Sequence, residues 1–272
     1  MISITSKIHR FDYLSWPDAS KAASQKGSTL VWPFGACEQH GPHLPLTTDT
    51  FFAENVLIKT LKRLPEDLPV WMLPPQSIGF SPEHCGFPGT LSISAPVLIG
   101  LITDIGEQIA SMGFKRLIFF NAHGGQIGLL QTVSRELRIK YPSLAVLPCF
   151  LWNGVSELEK LIPQKEVEEG LHAALAETSL MLHMAQNLVG PERPNEGENH
   201  QKEKGMPVPQ GWSLEGASPC AWLTEDISNT GVIGDSRGSN AVLGGELEKV
   251  LVEHWTNLFF NLLKSDWPPV KS

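Results

Sequence analysis

Short β-branched or aromatic runs alternate with longer stretches of helical period through the first 190 residues, and this alternation restricts the chain to a parallel sheet covered by helices. The strand-like runs are Leu30–Phe34, Val70–Pro74, Arg116–Asn121 (RLIFFN) and Leu144–Phe150 (LAVLPCF). The spacing of apolar residues predicts helices over Thr50–Leu64, Pro96–Met112, Ile127–Tyr141, Leu171–Leu188 and Leu243–Leu263. In open α/β sheets ligands collect beyond the carboxyl ends of the strands, where loops converge and helix N-termini point inward. The polar clusters of this chain fall at those ends.

At 272 residues the chain can bury a core without disulfides or structural metal. Its 29 acidic and 21 basic residues give a net charge of -8, which argues against nucleic acid as a partner and leaves a small-molecule substrate as the expectation. Cys37, Cys85, Cys149 and Cys220 are scattered without a CxxC pair, so neither a zinc finger nor a disulfide framework is indicated and the cytoplasm fits best. MISITSKIHRFDYLSW has no continuous apolar core of a signal peptide, and no stretch approaches the run of about eighteen apolar residues that a membrane span needs. Residues 190–217 are polar and rich in Pro, Gly and Glu, which predicts a lid, an oligomer arm or a mobile segment. The glycine-dense Ser228–Glu246 stretch is expected as an ordered loop near the site.

Four clusters carry the chemistry. EQHGPHLPLTTD packs Glu38, His40, His43 and Asp49 into twelve positions after the first strand, and this mixture of carboxylates and imidazoles suits Zn²⁺, Mn²⁺ or Fe²⁺. Glu38 and His40, one residue apart, leave an extended segment on the same face. Asp49 precedes a helical pattern, so it reads either as a helix N-cap or as a ligand beside them. His43, three residues beyond His40 across a Gly-Pro turn, is expected to brace the loop or touch substrate. NAHGGQ follows the third strand and puts His123 at a strand end, with Gly124 and Gly125 letting the backbone approach a ligand. In EEGLHAALAETSLML, His172 and Glu177 are expected near the start of a helix, His172 facing substrate and Glu177 a metal. SPEHCGFPGT offers Ser81 and His84 as substrate contacts, with Ser81 equally suited to a turn; adjacent Glu83 and His84 are expected to diverge and not to share an ion.

These motifs, in this order, resemble the creatininase family of metal-dependent amidohydrolases. The resemblance rests on ExHGxHLPxxTD (Glu38–Asp49), FPGT (Phe87–Thr90), NxHGG (Asn121–Gly125) and HAxxxETS (His172–Ser179), and covers residues 30–245. It implies a single domain over residues 1–272, folded as a three-layer α/β/α sandwich with a mainly parallel central sheet, a homohexamer, and two divalent ions per chain, zinc with zinc, manganese or iron. Carried over, it makes Asp49 the carboxylate bridging two ions, with Glu38 and His123 completing one site and His40 and Glu177 the other. Creatininases proper carry a Tyr-Glu pair where this chain has Gly124 and Gly125, and a Trp and a Glu where it has Glu168 and Leu171.

The expected activity is hydrolysis of a C–N bond in a cyclic amide or formamide, with His172 serving the leaving nitrogen. Three rivals share these residues. A two-metal phosphoesterase would want Arg or Lys at close range, and only Lys115, Arg116 and Arg237 flank the motifs. A metal-containing binding protein without turnover would have less use for His172 and Glu177. A nucleotide module on the Gly124 turn lacks the GxGxxG spacing.

Overall fold

β1 (Thr29–Phe34) is buried at every position and stands inside a four-stranded parallel sheet of order β2-β1-β3-β4, with β2 at Val70–Met72, β3 at Arg116–Asn121 and β4 at Ala145–Phe150. A computed structural model describes residues 9–196 and 209–269 of the chain. The helices are α1 (Trp16–Ser24), α2 (Thr48–Arg63), α3 (Ala95–Met112), α4 (Ile127–Lys140), α5 (Gln164–Glu169), α6 (Leu175–Ala185), α7 (Thr224–Ile227) and α8 (Ala241–Lys264). A two-residue antiparallel pair, β5 (Asn195–Glu196) with β6 (Gly234–Asp235), lies apart from the sheet.

Alternate strand residues feed two separate cores, which makes the molecule three-layered. Val31, Val70, Met72, Ile118 and Phe120 pack with Phe52, Val56 and Leu57 of α2, Leu180 of α6 and Leu251, Trp255 and Phe259 of α8. Leu30, Trp32, Phe34, Trp71, Leu117 and Phe119 pack on the other face with Ala22 of α1, Leu98, Ile102 and Ile109 of α3 and Leu130, Val133 and Leu137 of α4. Helix α2 buries Asp49, Phe52, Ala53, Val56, Leu57, Thr60 and Leu61, the stripe that a 3.6-residue period dictates.

Two elements are shorter than the sequence expectation for physical reasons. The second strand, expected to reach Pro74, stops at Met72. The β1 carbonyls at Val31 and Pro33 point to the β2 side, accepting from Leu73 and Gln76, so the amide Pro33 lacks would also have faced β2. The helix expected over Leu171–Leu188 begins only at Leu175 and ends at Ala185, followed by a 3₁₀ turn over Gln186–Leu188. Leu171 and His172 donate to the Ile233 carbonyl and Ile233 donates back to His172, an antiparallel bridge incompatible with helix; Ala173 then takes a left-handed φ of 53°. His172 is therefore not a helical residue, and it sits before α6 on an extended segment. Of the polar stretch 190–217, residues 197–208 lie outside the described residues, while Asn195 and Glu196 form β5. No helix among the described residues is long and apolar enough to cross a membrane.

Candidate metal centre

The chain steps from β1 to β2 on one side and to β3 on the other, so the sheet's switch point is the crevice beyond the carboxyl ends of β1 and β3. Glu38 and His40 follow β1 into it, and His123 follows β3. Gly35 lets the first turn of α2 close against the end of β1, since a Cβ there would overlap the Thr50 backbone. That approach places Asp49 in the crevice. Its carboxylate caps no amide; Thr47 holds the N-cap position, and Asp49 sits inside the first turn, 2% exposed, facing two imidazoles.

Asp49 spans the centre. Oδ1 lies 3.3 Å from His40 Nε2 and Oδ2 lies 3.3 Å from His123 Nδ1. Glu38 is 3.2 Å from His123 Nδ1 and 3.9 Å from His40 Nε2. The imidazoles are oriented from behind: His40 Nδ1 meets the Glu38 carbonyl at 3.2 Å, and His123 Nε2 meets the Phe80 carbonyl at 2.9 Å. Asn121 holds the His123 backbone through both its amide atoms, and Gln126 ties Asn121 to the Gly35 carbonyl. Glu177 uses Oε2 to accept the Ala173 amide at 2.6 Å, which keeps its carboxylate beside His40 and Asp49.

His172 Nε2 donates to the Gln39 carbonyl at 2.7 Å, leaving Nδ1 3.8 Å from Glu38. Its ring lies between His40 and His84, with centroids 4.3 and 4.2 Å away. Ser81, fully buried, gives its hydroxyl to the Glu38 carboxylate. His84 Nε2 lies 3.6 Å from Glu38 and Nδ1 lies 2.6 Å from Thr224 Oγ1. Gly124 and Gly125 form an exposed 3₁₀ turn beside His123. His43 braces the loop, its Nε2 2.8 Å from Thr178 Oγ1 of α6.

The charges show what the crevice is built to receive. Burial works against a charged His40, yet Asp49, Glu177 and Glu38 lift it to about 9. His123 rises well above its ordinary value for the same reason, with Glu38 and Asp49 overcoming burial. Asp49 falls below the usual carboxylate range because His40 and His123 outweigh its burial. Glu177 is raised to about 7 by burial and by Asp49 and Glu38, against the pull of His40. Burial and neighbouring imidazoles push His172 well below its ordinary value, and burial pushes His84 to about 4. A compact set of carboxylates that draws protons onto two buried imidazoles attracts positive charge.

These residues fit metal ions. His40 Nε2 and Asp49 Oδ2 are buried without a hydrogen-bond partner, an expensive arrangement unless something else satisfies them. Three groups offer donor atoms within 4.8 Å of one another: Glu38, His40 and His172; Glu38, Glu83 and His123; His40, Asp49 and Glu177. Opposed donors at about 2.0–2.2 Å from one ion span a similar distance.

Glu83, Gln39 and Thr224 also belong to this crevice. Glu83 and His84 both reach it, instead of diverging as in a strand, because the Pro82–His84 turn is 3₁₀ and successive side chains differ by about 120°. Gln39 donates to the Gly231 carbonyl at 3.0 Å and meets His84 Nδ1 at 2.9 Å, and a Cβ on Gly231 would overlap it. The glycine-dense loop thus reaches the site as its composition predicts, but nothing in the local sequence pairs Gln39 with it.

Known proteins resemble this chain along most of its length. Residues 12–259 match the family model for creatininase, creatinine amidohydrolase. The mycofactocin precursor peptide peptidase of Mycobacterium tuberculosis is 33% identical over 243 residues, covering 86% of each chain. The creatinine amidohydrolase of Pseudomonas putida is 27% identical over 194 residues, covering 66% of this chain and 73% of its own. A crystal structure of creatinine amidohydrolase superposes with a TM-score of 0.72 at 20% identity, over 95% of this chain and 98% of that one. With its sheet, its motifs and the family model in agreement, the chain belongs to the creatininase family.

Proposed function

We propose that the protein hydrolyses an amide C–N bond at a two-ion centre, in which Glu38 and His123 would hold one ion, His40 and Glu177 the other, and Asp49 would serve both. The observation that carries this reading is Asp49 itself, each of whose oxygens lies 3.3 Å from a different buried imidazole. Zinc and manganese are the ions to test first, since solved creatininases include a zinc–zinc and a manganese form. Such a pair, when bound, lowers the pKa of water toward about 7 and polarises a carbonyl oxygen.

The chain's own residues do the rest. His172, neutral and with Nδ1 turned toward the centre, takes a proton there and returns it to the leaving nitrogen. Gln39 fixes that tautomer through its carbonyl. His84, stacked on His172, and the exposed Gly124–Gly125 backbone line the approach for substrate. Ser81 serves Glu38 more directly than it serves a ligand.

Neither Arg116 nor Arg237, among the described residues, is free to meet a phosphoester here. Arg116 stands at the opposite end of β3 with its guanidinium on the Gly27, Ser265 and Trp267 carbonyls, and Arg237 pairs with Asp235. The substrate class is a small cyclic amide or a formamide. A short peptide is the second reading, favoured by 33% identity along 86% of a relative named as a peptide peptidase.

Metal analysis with a substrate panel tests the proposal. The purified protein should carry near-stoichiometric transition metal, Asp49→Ala should lose at least one ion, and turnover of some cyclic urea, lactam, formamide or short peptide should vanish with chelator and return with Zn²⁺ or Mn²⁺. An Asp49→Ala chain that keeps both ions would rule out the bridge.

A further inference from the structure

The crevice holds one carboxylate more than that reading uses. Glu83 rides on the 3₁₀ turn Pro82–His84, whose backbone is pinned by a 2.8 Å bond from Thr224 Oγ1 to the Glu83 carbonyl. Its side chain, 14% exposed, leans over Gly125 along the edge of His123, with Oε1 3.5 Å from Nε2, the nitrogen that also meets the Phe80 carbonyl. Among the described residues no lysine or arginine pairs with it. Glu38, Glu83 and His123 nevertheless present donor atoms within 4.8 Å of one another.

Gly125 explains how this carboxylate gets there. The residue does not use a left-handed φ, so its backbone does not demand glycine. Neighbouring Gly124 has open space where a Cβ would go, whereas a Cβ on Gly125 would overlap the Glu83 carboxylate and crowd the His123 ring. The missing side chain at 125 leaves room for the Glu83 carboxylate, the closest overlap, and for the edge of the His123 ring.

We propose that Glu83 is a further metal ligand of this chain, holding the ion on the β3 side together with Glu38, Asp49 and His123 in the space that Gly125 leaves open. The proposal rests on the two-ion reading above. It makes the two positions unequal: three carboxylates and one imidazole on the β3 side, two carboxylates and one imidazole on the other. An oxygen-rich set of that kind favours harder ions such as Mn²⁺.

The experiment follows ion content per chain by elemental analysis, with full-length protein loaded with Mn²⁺ or Zn²⁺ and dialysed against graded EDTA. Glu83→Gln, which keeps shape and removes charge, should give up one ion at an EDTA concentration lower by about tenfold or more, in the range found when groups supporting a metal site are removed, and keep the other as wild type does. Gly125→Ala should shift the same ion, because its methyl displaces Glu83 and presses on His123, so Glu83→Gln is the variant that isolates the carboxylate. In the Co²⁺-loaded protein, the visible absorption of one ion should change in Glu83→Gln, while metal-free forms melt together. A Glu83→Gln chain that holds both ions like a two-ion wild type overturns this proposal alone, as does one that loses both together. A wild type that takes up no ion overturns the two-ion reading and this proposal with it.

Discussion

His40 and His123 offer different ring nitrogens, Nε2 and Nδ1, to the same aspartate, and in each case a backbone carbonyl on the far nitrogen makes the choice. His172 follows the same rule, but its free Nδ1 sits farther back, 3.8 Å from Glu38, where it can serve a reacting group. His172→Ala should therefore retain both ions while turnover of the best panel substrate falls by about 10²–10⁴-fold, the usual worth of a positioned acid–base group. Elemental analysis beside the rate measurement decides it, because loss of an ion would move His172 into the ligand set. Glu38, His40 and His123 were legible in the sequence, since strand ends and one-residue spacing bring them to one edge, whereas Asp49 read as a helix cap or a ligand and only the motif resemblance singled it out. Gln39, Glu83 and Thr224 were not legible, because their places depend on how loops from 81–84, 224–231 and 38–49 cross, and no local pattern encodes that crossing.

At the level of elements, the bridge between His172 and Ile233 does what a longer α6 could not, holding the imidazole over the centre instead of turning it around a helix. Glu166 clasps this bridge. It accepts the Asp235 amide at 2.7 Å and the Leu175 amide at 3.3 Å, so one carboxylate joins α5, β6 and the start of α6. Glu166→Gln would turn an NH₂ toward one of those donors and should cost about 1–3 kcal/mol. A melting temperature lowered by about 2–4 °C per kcal/mol would register it, and an unchanged melt would show that the clasp is dispensable. The strands and long helices were readable because each has a period and a buried stripe. The bridge was not, since LHAALAETS has helical composition and only a partner 61 residues away pulls His172 out of helix. The truncation of β2 needed knowledge of which side of β1 its Pro33 faces.

Taken whole, the molecule puts its chemistry at one end of the sheet and seals the other with Arg116, buried beneath the C-terminal carbonyls of Ser265 and Trp267. Protons stand in for cations in the metal-free protein. His40, raised from 6.5 to about 9, contributes stability that is complete below 6.5 and disappears as the pH climbs through 9. Glu177, raised from 4.5 to about 7, acts in the same direction, its share lost as the pH passes 7. The metal-free form should melt at falling temperature between pH 6.5 and 9, His40 accounting for about 3 kcal/mol at 1.36 kcal/mol per pKa unit. The loaded form should show a flatter profile, because bound ions displace those protons. Melting curves across that range, with and without Mn²⁺, check both statements. Glu38 and Glu177 stand half the chain apart, and Asp49 and His123 belong to different crossovers. The unfolded chain accordingly brings only Glu38, His40 and Asp49 close together in sequence, and His123 and Glu177 join them only on folding. The full donor set therefore exists only in the folded crevice, and its choice of ion should be read from the folded chain.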